Sequence, residues 1–308
     1  MRIVVTGGAG FIGSALVRRL DRDQADGVVV DDFSTGRRTS LAGLRGVTVV
    51  EGSILDPDLL EEAFAGAEAV VHLAALSSAS ESIAAPLRYH EVNATGTLQV
   101  LEAARSRGVD HCIIASSAAV YGDAPSLPTA EDHPLRPSSP YGASKVAAEA
   151  HAMAAQACFG VSSLVLRPFN VFGPGQRADG QAPPVVPALL DAAVRGRPFT
   201  LHGSGNQSRD FIDLATVVEV LVAALRRKVV SSTPVNVASG SGRTLWDVVA
   251  GVRDLGFDLD VIKAPARPGD VSHSLGDTGR LRALFPEIEP RPFHVGLVDA
   301  LSSGRGRG

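Results

Sequence analysis

Arg2-Ile-Val-Val-Thr6-Gly7-Gly-Ala-Gly10-Phe-Ile-Gly13-Ser-Ala-Leu-Val-Arg-Arg-Leu20 decides the fold. Residues 2–6 are apolar and β-branched, which suits a buried strand. Residues 14–20 carry their apolar positions at helical spacing. The turn between them holds glycines at positions 7, 10 and 13. Gly7 and Gly10 let backbone approach a pyrophosphate, and Gly13 lets the helix pack close to the strand. The N–H groups at the helix start, at Phe11 and Ile12, then face the phosphates. A second strand, Gly27-Val-Val-Val-Asp31, ends in an acid at the spacing a dinucleotide site requires. Asp31 accepts ribose hydroxyls and repels a 2′-phosphate, which favours NAD over NADP. Arg37 and Arg38 pull the other way, since either would serve a 2′-phosphate.

Further along, Val47-Thr-Val-Val50 and Ala69-Val-Val-His-Leu73 read as buried parallel strands joined by a helical pattern at 57–64. Ala74 and Ala75 follow the second of them and offer a small surface on which a cofactor can lie. The run 86–107 is amphipathic and includes Asn93. A strand at 110–115 delivers Ser116 and Ser117 at its C-terminal end, where ligands of open α/β sheets bind. A proline-rich loop (124–140), a helix and a strand at 162–167 complete a doubly wound, parallel-sheet α/β domain over residues 1–168, to which some later segments return. Beyond it, glycine and proline become dense at 173–187 and shorter elements alternate. Residues 169–301 are expected to form a smaller α/β lobe that covers the substrate, and 302–308 a disordered tail.

Composition narrows the function. The chain has 308 residues, 45% hydrophobic and 20% charged, enough for a large core. A net charge of -4 gives no basic field for nucleic acid or an anionic membrane. No signal peptide or membrane-length apolar run is visible. Cys112 and Cys158 lack disulfide or zinc spacing, and both apolar settings predict buried thiols. These features point to a cytoplasmic protein without a metal site.

The chemistry sits in Tyr141-Gly-Ala-Ser-Lys145, in an alanine-rich helical run. A four-residue spacing places both side chains on one face. Tyrosine is a poor base at neutral pH, and a nearby ammonium favours its phenolate. A serine hydroxyl from a strand end can share the same proton.

These stretches together resemble the extended short-chain dehydrogenase/reductases, in particular the NAD-dependent nucleotide-sugar epimerases and dehydratases. The resemblance rests on Thr6-Gly-Gly-Ala-Gly-Phe-Ile-Gly13, Asp31-Asp-Phe-Ser34, His72-Leu-Ala-Ala75, Asn93-Ala-Thr-Gly-Thr97 and Ser116-Ser-Ala-Ala-Val-Tyr-Gly122. It continues through Pro137-Ser-Ser-Pro-Tyr-Gly-Ala-Ser-Lys145, Arg167-Pro-Phe-Asn-Val-Phe-Gly-Pro174 and Gln207-Ser-Arg-Asp-Phe-Ile212. It implies that Tyr141 takes a sugar proton, Lys145 holds the nicotinamide ribose, and Ser117 bonds the same sugar oxygen. It places NAD against Gly7, Gly10, Phe11, Ile12, Asp31, Asp32, Ser34, Ser53, Ile54, Leu73, Ala74, Ala75, Asn93, Ser116 and Pro168. Substrate contacts are implied for Ser77, Asn170, Val186, Leu201 and His202, with Arg209, Arg267 and Asp270 at a diphosphate. One departure is Gly52-Ser53, where the family often has Gly-Asp near the adenine.

Within the family, Ala118 and Ala119 stand where the 4,6-dehydratases carry an Asp and a Glu. Methyl groups move no protons, so oxidation and re-reduction at one carbon remain, which is the cycle of the UDP-hexose 4-epimerases. The same fold also hosts 4-ketoreductases and dehydratases, and a dinucleotide-binding sensor is the remote alternative. Ser274 falls at the family's gate on the sugar, and its small size admits N-acetylglucosamine. Arg177 resembles the arginine that meets a glucuronate carboxylate. Glucose, glucuronate and N-acetylglucosamine forms therefore all stay open. The family commonly forms homodimers through the helices near 86–107 and at Tyr141.

Overall fold

The computed structural model describes residues 1–179, 183–266 and 270–305. The chain divides into two compact units. The first comprises Met1–Val120, Pro137–Arg167 and Val218–Val235; the second comprises Tyr121–Arg136, Pro168–Val217 and everything from Asn236.

The first unit begins with β1 (Arg2–Thr6), α1 (Phe11–Arg22), β2 (Asp26–Asp31), β3 (Val47–Glu51), α2 (Pro57–Ala63) and β4 (Ala69–His72). Then come α3 (Ala79–Ala84), α4 (Pro86–His90), a π-helical turn (Glu91–Thr95), α5 (Gly96–Ser106), β5 (His111–Ala115), α6 (Pro140–Phe159) and β6 (Ser163–Pro168). β1 pairs in parallel with β2 on one side and β4 on the other, Ile3 lying between Gly27 and Ala69. The seven-stranded sheet runs β10-β6-β5-β4-β1-β2-β3, where β10 is Val235–Val237. Val4, Val28, Val70 and Ile114, fully or almost fully buried, form its core with Leu60 and Phe64 from the α2 region and Leu101 from α5.

Two sequence expectations change here. β3 is an edge strand, and Val49 is 42% exposed rather than buried, because only one flank of the strand has a partner. Cys158, expected inside, is exposed near the end of α6, whereas Cys112 is buried in β5 with its thiol pushed up to about 12 by desolvation.

The second unit contains β7 (Asn170–Phe172), α7 (Val185–Val194), β8 (Phe199–His202), β9 (Ser208–Asp213) and the start of α8 (Leu214–Arg227). It continues through β11 (Gly242–Thr244), α9 (Leu245–Asp254), β12 (Val261–Ala264), α10 (Gly279–Leu284) and α11 (Phe293–Arg305). β9 is central in a sheet with β7 and β11, and β8 pairs in parallel with β12. Phe172, Phe211 and Phe293 pack ring to ring at 4.9–6.2 Å in this unit's core. Segment 121–136 belongs here despite preceding Tyr141 in the chain. Thr129 exchanges backbone bonds with Leu275 and Asp277, and the Tyr121 hydroxyl donates to Asn236 at 2.6 Å. The final helix runs through Arg305, past Ser302, where loss of structure is expected from composition. Among the described residues, no helix is long and apolar enough to cross a membrane, and no cluster of three metal-ligating side chains occurs.

Candidate active site

The turn after β1 is built as its glycines require. Gly7 has φ +70°, and a Cβ there would lie 2.6 Å from the Ala74 nitrogen. A Cβ on Gly13 would lie 2.1 Å from the Gly7 carbonyl oxygen, so α1 can sit on the turn only with glycine there. Gly10 caps α1 without a side-chain hydrogen bond, which leaves the first-turn N–H groups to an incoming anion. Asp31, at the end of β2, accepts the Ala9 N–H at 2.8 Å and the Phe33 N–H at 2.9 Å. One carboxylate thus fixes both the glycine turn and the loop after β2. Burial holds Asp31 above the usual carboxylate range. Each of its oxygens retains a lone pair for a ribose hydroxyl. Asp32 accepts the Ser34 N–H and hydroxyl. Arg38, which argued for a 2′-phosphate, pairs with Glu51 and stacks 4.2 Å over the Phe33 ring. These residues fit NAD: a tight glycine cradle, an uncapped helix start and an acid beside it.

Other expected cofactor residues divide by burial. Ser53 accepts the Leu55 N–H, while Ile54 lies in the hydrophobic core. Leu73 follows β4, its N–H bonded to the Thr6 carbonyl, and Ala74 donates to the Thr6 hydroxyl at 3.4 Å. Ala75 is half-buried and Ser77 exposed. Asn93 is 0% exposed in the π-helical turn, and its amide is committed to the Leu76 N–H (2.8 Å), the Leu76 carbonyl (2.9 Å) and Ser144 Oγ (2.9 Å). These bonds tie the segment after Ala75 to α6. Ser116 is likewise turned inward, its hydroxyl donating to Glu149.

α6 starts cleanly: Ser139 accepts the Gly142 N–H, Pro140 takes the first position, and Gly160 at φ +69° closes the far end. Gly142 permits close approach, since a Cβ there would lie 2.5 Å from the Ala119 carbonyl oxygen. This seats Tyr141 beside Ser117. Ser117 lowers the Tyr141 phenol's pKa, against the effect of burial, and Ser117 Oγ accepts the Ala119 N–H at 3.1 Å. Tyr89 meets the Tyr141 ring edge-on at 6.4 Å, and Leu76 packs with them. Lys145, one turn on, is buried and donates to the Ala115 carbonyl at 2.9 Å. Burial pushes its ammonium down to about 8, against the support of Glu149. The expected depression of the tyrosine is not present: burial and the neighbouring Tyr89 raise Tyr141 above its ordinary value, partly offset by Ser117. The phenolate is desolvated, and the lysine ammonium spends a hydrogen bond on Ala115.

In the second unit, Arg209 on β9 donates to Asp270 Oδ1 at 3.1 Å and to the Ser208 carbonyl at 2.9 Å. The Ser274 N–H bonds that same Ser208 carbonyl at 3.0 Å, so Arg209, Asp270 and Ser274 form one group. Asn170 donates to the Asp210 carbonyl on the adjoining strand at 3.1 Å. His202 faces the Pro265 carbonyl at 3.1 Å. Val186 and Leu201 are core residues, 2% and 0% exposed. Arg177 pairs with Asp179 on an exposed loop. Pro168 ends β6, and Arg267 lies outside the described residues.

Sequence reasoning missed two groups. His72, at the end of β4, lies between Thr6 Oγ1 (2.7 Å from Nδ1) and Thr97 Oγ1 (2.9 Å from Nε2). Because Thr97 donates to the Asn93 carbonyl at 2.6 Å, it accepts from Nε2–H, and Nδ1 accepts from Thr6. The second is the Glu149–Arg167 ion pair, buried beneath Ser116. An acid one turn beyond Lys145 was its visible signal.

The profile of the NAD dependent epimerase/dehydratase family matches residues 3–238. The UDP-glucose 4-epimerase of Mycolicibacterium smegmatis is 36% identical over 294 residues, covering 92% of this chain and 92% of its own length. The solved UDP-N-acetylglucosamine 4-epimerase from Methanobrevibacter ruminantium, in complex with UDP-N-acetylmuramic acid, superposes with a TM-score of 0.94 at 32% identity. It covers 100% of this chain and 99% of that one. The Thermus thermophilus UDP-glucose 4-epimerase complex with NAD gives 0.91 at 34%, covering both chains fully. With its glycine cradle, Asp31 and the Tyr141–Lys145 helix in place, this chain belongs to the NAD dependent epimerase/dehydratase family.

Proposed function

We propose that this protein is a UDP-sugar 4-epimerase that retains NAD through its cycle. The observation that carries this reading is that Gly142 packs the start of α6, with Tyr141 and buried Lys145, against the 117–119 turn that holds Ser117 and methyl groups at 118 and 119. NAD supplies the hydride acceptor and donor. Tyr141 takes the proton of the C4 hydroxyl as the hydride leaves and returns it after the 4-keto sugar turns over. Ser117, beside that phenol, orients the sugar hydroxyl and shares the proton. Lys145 keeps positive charge one turn away. Nothing at 118 or 119 can abstract the C5 proton, so the keto sugar goes back rather than losing water.

The second unit is the nucleotide-sugar lobe in this reading. Burial disfavours the Arg209 charge, and Asp270 and Asp123 only partly compensate. A diphosphate in place of Asp270 would give the guanidinium a stronger partner. Arg267 is its expected companion. Asn170, Ser274 and Arg177 are the residues through which the sugar is selected among glucose, N-acetylglucosamine and glucuronate. The test is proton NMR in D2O with the three UDP-sugars in separate tubes. A new C4 epimer with no deuterium on carbon is expected; deuterium at C5, or an accumulating unsaturated product, overturns the reading.

We also propose a homodimer working in the cytoplasm. α6 exposes Ala143, Ala150, Met153, Ala154 and Ala157, and its neighbours α4 and α5 expose Leu87 and Leu98. Leu87 is 84% exposed, an apolar cost that a second copy would remove. Light scattering behind size exclusion should give twice the 31.9 kDa chain mass. A single-chain mass at micromolar concentration would refute it.

A further inference from the structure

We propose that Glu149, clamped by Arg167, is a positioning residue for the Tyr141–Ser117–Lys145 site. It locks the strand end that carries the serines to the helix that carries the tyrosine and lysine, and it places a fixed negative charge one turn below the lysine. The inference rests on the epimerase reading for its kinetic consequences but not for its geometry.

Glu149 is 0% exposed and Arg167 2%. Arg167 Nε donates to Glu149 Oε1 at 2.8 Å, and Nη2 donates to Oε2 at 2.7 Å. Such a fork holds a carboxylate in one orientation. The Ser116 hydroxyl donates to Oε1 as well. Three elements therefore meet on one carboxylate: α6 through Glu149, β6 through Arg167, and the end of β5 through Ser116. Ser117 follows Ser116 directly, and the Ser116 N–H also bonds the Leu166 carbonyl at 2.7 Å. A shift of Glu149 moves the strand end on which Ser117 rides.

The second role follows from helix geometry. Tyr141, Lys145 and Glu149 lie at i, i+4 and i+8 on one face. The groups that act on the Lys145 ammonium are Glu149 from its own helix, the Ala115 carbonyl from β5 and neutral His72 from β4. Glu149 is the one anion among them, and it sustains the lysine charge against desolvation. A buried ion pair contributes little net stability compared with apolar residues, so its value here is orientation and charge.

The test uses the full-length protein. It has three lysines, at 145, 228 and 263, so 13Cε-lysine NMR reads Lys145 directly, with Lys145→Arg for assignment. Glu149→Gln keeps the shape and the acceptor for Ser116 while removing the charge. Its Lys145 resonance should titrate at lower pH than in the wild type, and kcat at pH 7.5 should fall about tenfold with KM unchanged. Ser116→Ala should lower kcat about threefold while leaving the Lys145 titration alone, which separates position from charge. If Glu149→Gln fails to fold, Glu149→Gln with Arg167→Met removes both charges and carries the same reading. An unmoved Lys145 titration in the folded variant, with an unchanged pH profile, overturns the proposal. Absence of any UDP-sugar turnover in the wild type would instead sink the epimerase reading and leave the NMR titration to decide this one.

Discussion

Tyr141→Phe should retain the fold and bound NAD and lose epimerisation by about 10³-fold, within the range for removal of a positioned acid/base. The ring stays, so the edge contact with Tyr89 and the packing with Leu76 are kept. Only the hydroxyl goes, leaving Ser117 with its bond from the Ala119 N–H. No residue beside it can replace the proton transfer. Ser117 is a much weaker acid and base at neutral pH, and Lys145 is bonded to the Ala115 carbonyl. The glycine turn and Asp31 are untouched, so NAD released from the denatured variant should match the wild type in stoichiometry. Turnover within tenfold of the wild type would show that another group carries the proton. Loss of NAD would show that the phenol, rather than the glycine cradle, anchors the cofactor.

The parts of the site that could be read in advance are those where local chemistry has few solutions. A glycine whose Cβ would strike a carbonyl at 2.1 Å leaves a spacing in the sequence, as Gly7, Gly10 and Gly13 do. An acid at the end of a β-branched strand, as Asp31 is, reads the same way. Tyr141 and Lys145 were legible because four residues make one turn. What was hidden depends on tertiary neighbours. Asn93 carries the same side chain whether it faces a ligand or ties Leu76 to Ser144, and only the π-helical turn decides. Arg38 looked available for a phosphate until Glu51 and Phe33 were seen to occupy it. Tyr141 looked primed by Lys145, but burial of the phenol, with Tyr89 beside it, raises it above its ordinary value, and Ser117 only partly offsets this. Edge or centre for β3 is likewise set by strand order, which a run of valines does not encode.

Acid should destabilise the protein steeply, and His72 should account for much of the slope. The ring is fully buried and held neutral between Thr6 and Thr97; burial, aided by Lys145, pushes it down to about 3. In the unfolded chain it titrates near 6.5. The folded value is the depressed one, so the unfolded state binds the extra proton as pH falls below 6.5. The stabilisation from neutral His72 is complete above that pH and drains away toward pH 3, at about 1.4 kcal/mol per unit. The loss reaches about 2 kcal/mol at pH 5 and about 3 kcal/mol at pH 4. His111 acts in the same sense, lowered by burial and Lys228 and with both ring nitrogens unpartnered. Asp31 and Asp210, raised by burial, act in the opposite sense. A variant is therefore needed to isolate the histidine, and His72→Gln offers a donor and an acceptor that do not titrate. Urea unfolding from pH 7 to 4 should give the variant a stability slope flatter than the wild type by about 1.4 kcal/mol per pH unit, whatever its stability at neutral pH. Parallel slopes would mean that His72 takes up its proton over the same pH range in the fold as in the unfolded chain, and so is an imidazolium in the fold at acid pH. Thr6 and Thr97 would then bond an imidazolium, which requires Thr97 to accept and Thr6 to accept as well. The Thr6 oxygen would then accept from both Nδ1–H and the Ala74 N–H, and its own proton would need another acceptor. The Thr6–His72 bond at the end of β1 would run from ring to hydroxyl, opposite to the direction a neutral ring accepting at Nδ1 gives it.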